Sequence, residues 1–269
     1  ITENESAPTV TLATSATSIA ENAGSSLTLT ATISQVADED VIVNLNTAGT
    51  STNGSDYGTL TRITVSAGAT TGTTNFTPTD DSVYEGNETA IISISSVSGA
   101  DAAESGSQSV TITITENESS PTITLTSSAS SITENAGSSL TLTATSSIAA
   151  DEDITVSIST SGTGTEGTDY STISDITISA GATTGTAAFT PTDDNVYEGN
   201  ETGIVAISGV SGADAAESGS QSVTITITEN ESAPTVTLAT SATSIAENAG
   251  TSLTLTATLS VATTADVTV

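Results

Sequence analysis

Leu27-Thr28-Leu29-Thr30-Ala31-Thr32-Ile33 alternates apolar and polar side chains without a break. A period of two marks a β-strand with one face buried, and Thr, Val and Ile suit a pleated sheet. The same pattern recurs on both sides. It predicts strand A over 9–13 with an extension at 18–20, and strand B over 26–33. Strand C follows at 41–46, D within 59–65 and E within 73–79. Strand F lies at 89–97 and G at 109–115, where Val110, Ile112 and Ile114 face one way. Gly24, Gly49, Gly54, Gly68, Gly72, Gly86 and Gly99 fall between strands, as turn residues should. Seven short strands predict an all-β, antiparallel sandwich. Its core is small and aliphatic, with Tyr57 and Phe76 as the large members, so its stability without help is modest.

The unit repeats. Ile1-Thr2-Glu3-Asn4-Glu5 returns at Ile114 and again at Ile227, an advance of 113 residues each time (1, 114, 227). Glu21, Glu134 and Glu247 keep that register, as do Asp56 with Asp169 and Asp80 with Asp193. A period this long is the size of a domain. The expected organisation is the end of a preceding repeat at 1–6, complete repeats at 7–119 and 120–232, and the start of a further one at 233–269. The chain opens on Ile1 and stops at Val269 inside an alternating pattern, and the expectation is a window from a longer protein.

Composition narrows the function. The 269 residues carry 32 acidic side chains, one basic side chain (Arg62) and a formal net charge of −31. Such a surface repels nucleic acid and anionic membranes. No apolar run approaches the ~20 residues of a membrane span. Without Cys there is no disulfide framework. Without His or Lys, a Ser nucleophile has no general base, and with no Trp there is little platform for a sugar. The sequence predicts no enzyme. Asn-x-Ser/Thr triplets occur at Asn4, Asn53, Asn87, Asn117, Asn200 and Asn230. In a Ser/Thr-rich chain such triplets arise easily by chance.

The acids are not scattered. Asp80-Asp81-Ser82-Val83-Tyr84-Glu85-Gly86-Asn87-Glu88 places four carboxylates around a turn, and Asp193-Asp194-Asn195-Val196-Tyr197-Glu198-Gly199-Asn200-Glu201 repeats it. With strands A, C, E and G running one way and B, D and F the other, four segments share one pole. That pole collects Glu21, Asp56, Asp80, Asp81, Glu85, Glu88, Glu116 and Glu118. The second repeat collects Glu134, Asp169, Asp193, Asp194, Glu198, Glu201, Glu229 and Glu231. Like charges at this density call for a counter-ion, and Ca²⁺ accepts many oxygen ligands at flexible geometry. The opposite pole holds Asp38-Glu39-Asp40, Asp101 and Glu104, read as solvated turns.

Three elements in this order resemble the Calx-beta domain family: Ser18-Ile19-Ala20-Glu21-Asn22-Ala23-Gly24, then Gly54-Ser55-Asp56-Tyr57, then the Asp80 to Glu88 turn. The resemblance covers both complete repeats. It implies tandem seven-stranded Greek-key sandwiches of immunoglobulin-like form. It also implies that Glu21, Asp56, Asp80, Asp81, Glu85 and Glu88 are calcium ligands, with Glu134, Asp169, Asp193, Asp194, Glu198 and Glu201 in the second set. Glu116-Asn117-Glu118 departs from the family, whose exchanger members carry consecutive Asp residues there.

The expected function is a structural repeat region of an extracellular, calcium-stiffened stalk, adhesin or surface fibre of a bacterium or archaeon. Its partners would be neighbouring repeats of the same chain and, in a fibre, other copies. Two alternatives are a calcium-sensing regulatory module and a filament subunit assembled by strand donation between chains.

Overall fold

The computed structural model describes residues 6–269. Residues 1–5, and with them most of the expected end of a preceding repeat, lie outside the described residues. The chain divides into two compact units between Ser120 and Pro121.

The first unit contains β1 (Thr9–Thr14), β2 (Ser18–Ala20), β3 (Leu27–Ile33), β4 (Val41–Gly49), β5 (Arg62–Val65), β6 (Thr71–Phe76), β7 (Val83–Tyr84), β8 (Glu88–Ser98), β9 (Ala103–Glu104) and β10 (Ser109–Thr115). One sheet has the order β6-β3-β1-β9 and the other β2-β10-β8-β4-β5. The all-β sandwich expected from the alternation is therefore present. The Leu27 stretch is an inner strand of the four-stranded sheet, with Leu29, Ala31 and Ile33 buried and the threonines between them turned outward. Strand C runs three residues beyond the expected end, to Gly49. Strand E is Thr71–Phe76, so it begins two residues earlier and ends three earlier than predicted.

The chain changes sheet between β1 and β2. The first pairs antiparallel with β3, and the second pairs parallel with β10 (Ser18↔Thr113, Ile19↔Ile114, Ala20↔Thr115). Predicting an extension of strand A located β2 but not this transfer. The two sheets close over Val10, Leu29, Val43, Ile63, Phe76, Ile92 and Ile112, each at most 1% exposed. Tyr57 stacks on Phe76 with ring centroids 4.6 Å apart. One edge closes tightly at Gly72, where a Cβ would lie 2.2 Å from the Thr64 carbonyl oxygen.

The second unit repeats the plan with β11 (Thr122–Ser127), β12 (Ser131–Thr133), β13 (Leu140–Ser146), β14 (Ala149–Ala150), β15 (Ile154–Gly162), β16 (Ile176–Ile178), β17 (Thr184–Phe189), β18 (Val196–Tyr197), β19 (Glu201–Ser211), β20 (Ala216–Glu217) and β21 (Ser222–Thr228). Its sheets are β17-β13-β11-β20 and β12-β21-β19-β15-β16. Then come β22 (Val236–Thr240), β23 (Leu255–Leu259) and β24 (Ala262–Thr263). The β22–β23 hairpin has the register of β1–β3 displaced by two repeats: Val236 faces Leu259 as Val10 faces Ile33. β24 pairs parallel with β18, Val196 opposite Ala262 and Tyr197 opposite Thr263.

Candidate metal centre

The parallel β2–β10 ladder fixes the first part of the site. It ends side by side at Ala20 and Thr115, and the Glu21 N–H continues it to the Thr115 carbonyl at 3.0 Å. Glu21 and Glu116 are thereby set next to each other from opposite ends of the first unit. The β6–β7 connection then crosses above them, where the Asp81 N–H donates to Glu21 Oε1 at 3.3 Å. The β4–β5 connection is tied in by Tyr57 bridging Pro78 and by the Thr79 N–H on the Asp56 carbonyl at 2.9 Å.

These contacts sort the acids into two groups per unit. Glu21, Glu116 and Glu118 each bring one carboxylate oxygen within 4.8 Å of the others, and so do Asp56, Glu85 and Glu88. In the second unit the groups are Glu134, Glu229 and Glu231, and Asp169, Glu198 and Glu201. Twelve of the sixteen acids singled out in the sequence thus converge in triads. The other four, Asp80, Asp81, Asp193 and Asp194, lie in the turns alongside. Asp81 Oδ1 accepts the Val83 N–H at 2.7 Å, and Asp194 Oδ1 accepts that of Val196 at 2.6 Å, so both brace the turn. The charges of Asp80 and Asp193 act on Glu118 and Glu231.

The members of a triad differ sharply. Glu21 is 5% exposed. Burial, with the charges of Glu116, Glu118 and Asp81, pushes its carboxyl up from 4.5 to about 7 against the opposing Asp81 N–H. Glu134 is raised to about 7 for the same reasons. Glu201 also reaches about 7, through burial and then the charges of Asp169 and Glu198. Glu116 goes the other way. Burial opposes its charge, but its Oε2 accepts the Glu85 and Gly86 N–H groups at 2.6 and 2.9 Å. Its Oε1 accepts those of Asn117 and Glu118 at 2.8 and 2.9 Å, and the carboxyl is held below its usual range. Glu229 has the matching donors and is held at about 2, again against the effect of burial. Four N–H donors fill the roughly four acceptor positions of a carboxylate. Glu118 is pushed up by contact with the Glu116 carboxyl and by burial. Its Oε2, like that of Glu231, is buried and accepts no hydrogen bond. Anchors and surplus carboxylates therefore sit together, and the surplus oxygens suit a hard cation.

Several participants were missed in the sequence. Asn87 Oδ1 accepts the Glu116 N–H at 3.0 Å, and Asn200 does the same for Glu229 at 3.1 Å. Asn53 brackets Leu60 with its amide, where the second unit has Glu166 accepting the Ile173 N–H and the Thr160 hydroxyl. These asparagines were legible only as glycosylation triplets; the amides of Asn53, Asn87, Asn117 and Asn200 are engaged in the fold. Asn4 lies outside the described residues. At the opposite pole Asp40, Glu39 and Glu104 accept the N–H groups of Ala67, Ala100 and Gln108, so these acids hold turns as well as face solvent.

A β-sandwich with carboxylates from four separate segments gathered at one end defines a class of β-module. The Calx-beta domain matches residues 3–118 and again residues 116–231, and the chain belongs to that family. Among solved structures, CBD12 from CALX1.2 is 15% identical over 78% of this chain and 96% of its own, with a TM-score of 0.36. The apo-form Calx CBD1 domain is 18% identical over 41% of this chain and 99% of its own, with a TM-score of 0.35. Invasin, a bacterial integrin-binding protein, is 18% identical over 92% of this chain and 45% of its own, with a TM-score of 0.40. These likenesses are too distant to bear on function. Comparison with curated protein sequences gives no match.

Proposed function

We propose that the chain is a run of calcium-binding structural repeats in an extended extracellular stalk, adhesin or surface fibre, with no catalytic role. The observation that carries this is the pair of carboxylate triads per unit, built identically in both units with no basic side chain in them. Arg62, the one cation of the sequence, lies in β5 opposite Asn44. Glu21, Asp56, Glu85, Glu88 and Glu118 would supply oxygens to Ca²⁺, with Asp80 and Asp81 adjoining. In the second unit the corresponding residues are Glu134, Asp169, Glu198, Glu201 and Glu231, with Asp193 and Asp194. Glu116 and Glu229 would contribute charge and hold the turn. Repeats would run over 7–119 and 120–232, with another beginning at 233. Neighbouring repeats, and other copies in a fibre, would be the partners. Millimolar calcium outside a cell fills even weak sites, and a uniform series of modules suits a spacer.

Calcium titration into EDTA-treated protein, followed by calorimetry, tests this. Binding to the folded state should raise both units' melting temperatures by mass action. Asp56→Asn with Glu88→Gln should reduce the rise in the first unit only. A melting curve identical in EDTA and in millimolar calcium would sink the proposal.

A further inference from the structure

Tyr57 is fully buried, and its hydroxyl meets no hydrogen-bond partner although Thr47 stands beside it. A buried donor without an acceptor is costly and uncommon. The second unit satisfies the same hydroxyl. There Thr160 takes the place of Thr47 and gives its proton to Glu166 Oε2 at 2.6 Å. The Thr160 oxygen is left as an acceptor for the Tyr170 hydroxyl beside it. In the first unit Asn53 stands where Glu166 stands. Its amide is spent on Leu60, donating to the carbonyl at 3.0 Å and accepting the N–H at 2.9 Å. Thr47 is thereby left without the carboxylate that fixes Thr160.

The other neighbours of Tyr57 belong to the Asp56, Glu85 and Glu88 triad. Its ring is held by stacking on Phe76. In the second unit the corresponding ring lies along β19, with Cε1 3.5 Å from where a Cβ of Gly203 would be. Glu201 is two residues before Gly203 and shares that face of the strand, as Glu88 does with Ala90 in β8. The carboxylates that act on the Tyr57 hydroxyl are those of Asp56 and Glu88, whereas Tyr170 feels Glu166 and Asp169.

We propose that Tyr57 is a positioning residue for calcium in the first unit: its hydroxyl donates to the Glu88 carboxylate and orients it toward the ion, a task from which Glu166 withdraws Tyr170 in the second unit. Carboxylates that ligate a metal are in turn held by hydrogen bonds from their neighbours. This assignment rests on calcium occupying the triads as proposed above, and it makes the two units differ although their ligand acids match.

In the full chain carrying fluorotyrosine, Tyr84 and Tyr197 lie in the two acidic turns and report by fluorine NMR on calcium binding to each unit separately. Tyr57→Phe keeps the ring and removes only the hydroxyl. It should raise the calcium concentration at which Tyr84 is half shifted by about tenfold or more. The EDTA melting temperature of the first unit should stay unchanged or rise. Tyr170→Phe should leave the Tyr197 midpoint in place and lower the second unit's EDTA melting temperature. Glu166→Asn gives the second unit the amide of the first, and adding Tyr170→Phe to it should raise the Tyr197 midpoint as well. An unmoved midpoint in that background would overturn the part assigned to Glu166. A Tyr84 midpoint unmoved by Tyr57→Phe, or a Tyr197 midpoint moved by Tyr170→Phe alone, would overturn the proposal and leave calcium binding by the triads standing. The absence of any calcium shift at Tyr84 and Tyr197 would overturn both.

Discussion

Glu116 and Glu118 are two residues apart and have opposite roles. Glu116 accepts four backbone N–H groups, whereas Glu118 carries a buried oxygen with none. Glu116→Gln should therefore destabilise the first unit in EDTA by about 1.5–3 kcal/mol, the range for hydrogen bonds to a charged group. Glu118→Gln should leave the EDTA melting temperature unchanged or higher, yet shrink the calcium shift. Equal losses in EDTA for the two variants would refute the division of roles. The raised carboxyls give a pH dependence of definite sign. Glu21, Glu134 and Glu201 ionise near 7 when folded and near 4.5 when unfolded, so the unfolded chain binds fewer protons between those values. Metal-free stability should fall as pH rises from 4.5 to 7. Glu229, held at about 2, contributes in the other window: its stabilisation is present above 4.5 and lost toward 2. Calcium requires the ionised carboxylates, so its stabilising effect should grow over 4.5 to 7. Thermal melts across that range in EDTA and in calcium measure both trends, and an EDTA curve that rises with pH contradicts the assignment. The sequence marked these acids because they recur in register. It could not separate anchor from surplus, because that depends on where the N–H groups of residues 85, 86, 117 and 118 point.

Strands with alternating side chains were legible, and strands without them were not. β9 and β20 are two residues each, carry no pattern, and exist because Ala103 and Ala216 dock beside Pro8 and Pro121. The transfer of β2 to the opposite sheet was equally silent, since its alternation fits either face. Glycines were read as punctuation, but their reasons differ. Gly24 has φ of 60° with open space around it, while Gly72 has no room for a Cβ against Thr64. Gly24→Ala should cost about 1 kcal/mol through backbone strain alone. Gly72→Ala forces β6 away from β5 and should cost about 1–3 kcal/mol, as overpacking does. Denaturant midpoints of the two variants test the order, and an equal loss would mean the sheet edge yields more readily than its geometry implies.

Over the whole chain, charge outweighs every other feature of the composition. A net charge of −31 leaves the metal-free protein under self-repulsion. Sodium chloride should raise the melting temperature in EDTA by screening, and should raise it less once calcium has neutralised the triads. A salt response of the same size in both conditions would show that the clustered acids are not the source. The repeat length and the all-β architecture were legible because the same residues return in one register with no insertion. The pairing of β18 with β24 was not, because Val-Tyr and Ala-Thr are too short to signal a strand.

The parallel ladder between β2 and β10 has a mechanical consequence. These two segments lie near the beginning and the end of the first unit's chain and point the same way. A pull on the two ends drags β2 backward and β10 forward along their common axis. The hydrogen bonds Ser18 to Ala20 make with Thr113 to Thr115 are then loaded together, in shear, and cannot be peeled one at a time. The adjoining β10–β8 ladder is antiparallel and shares the load along its length. Rupture of such a clamp is a kinetic event set by the barrier to unfolding. Glu21 and Glu116 stand just past its last rung, so a cation held by both would tie the two strands together where the ladder ends.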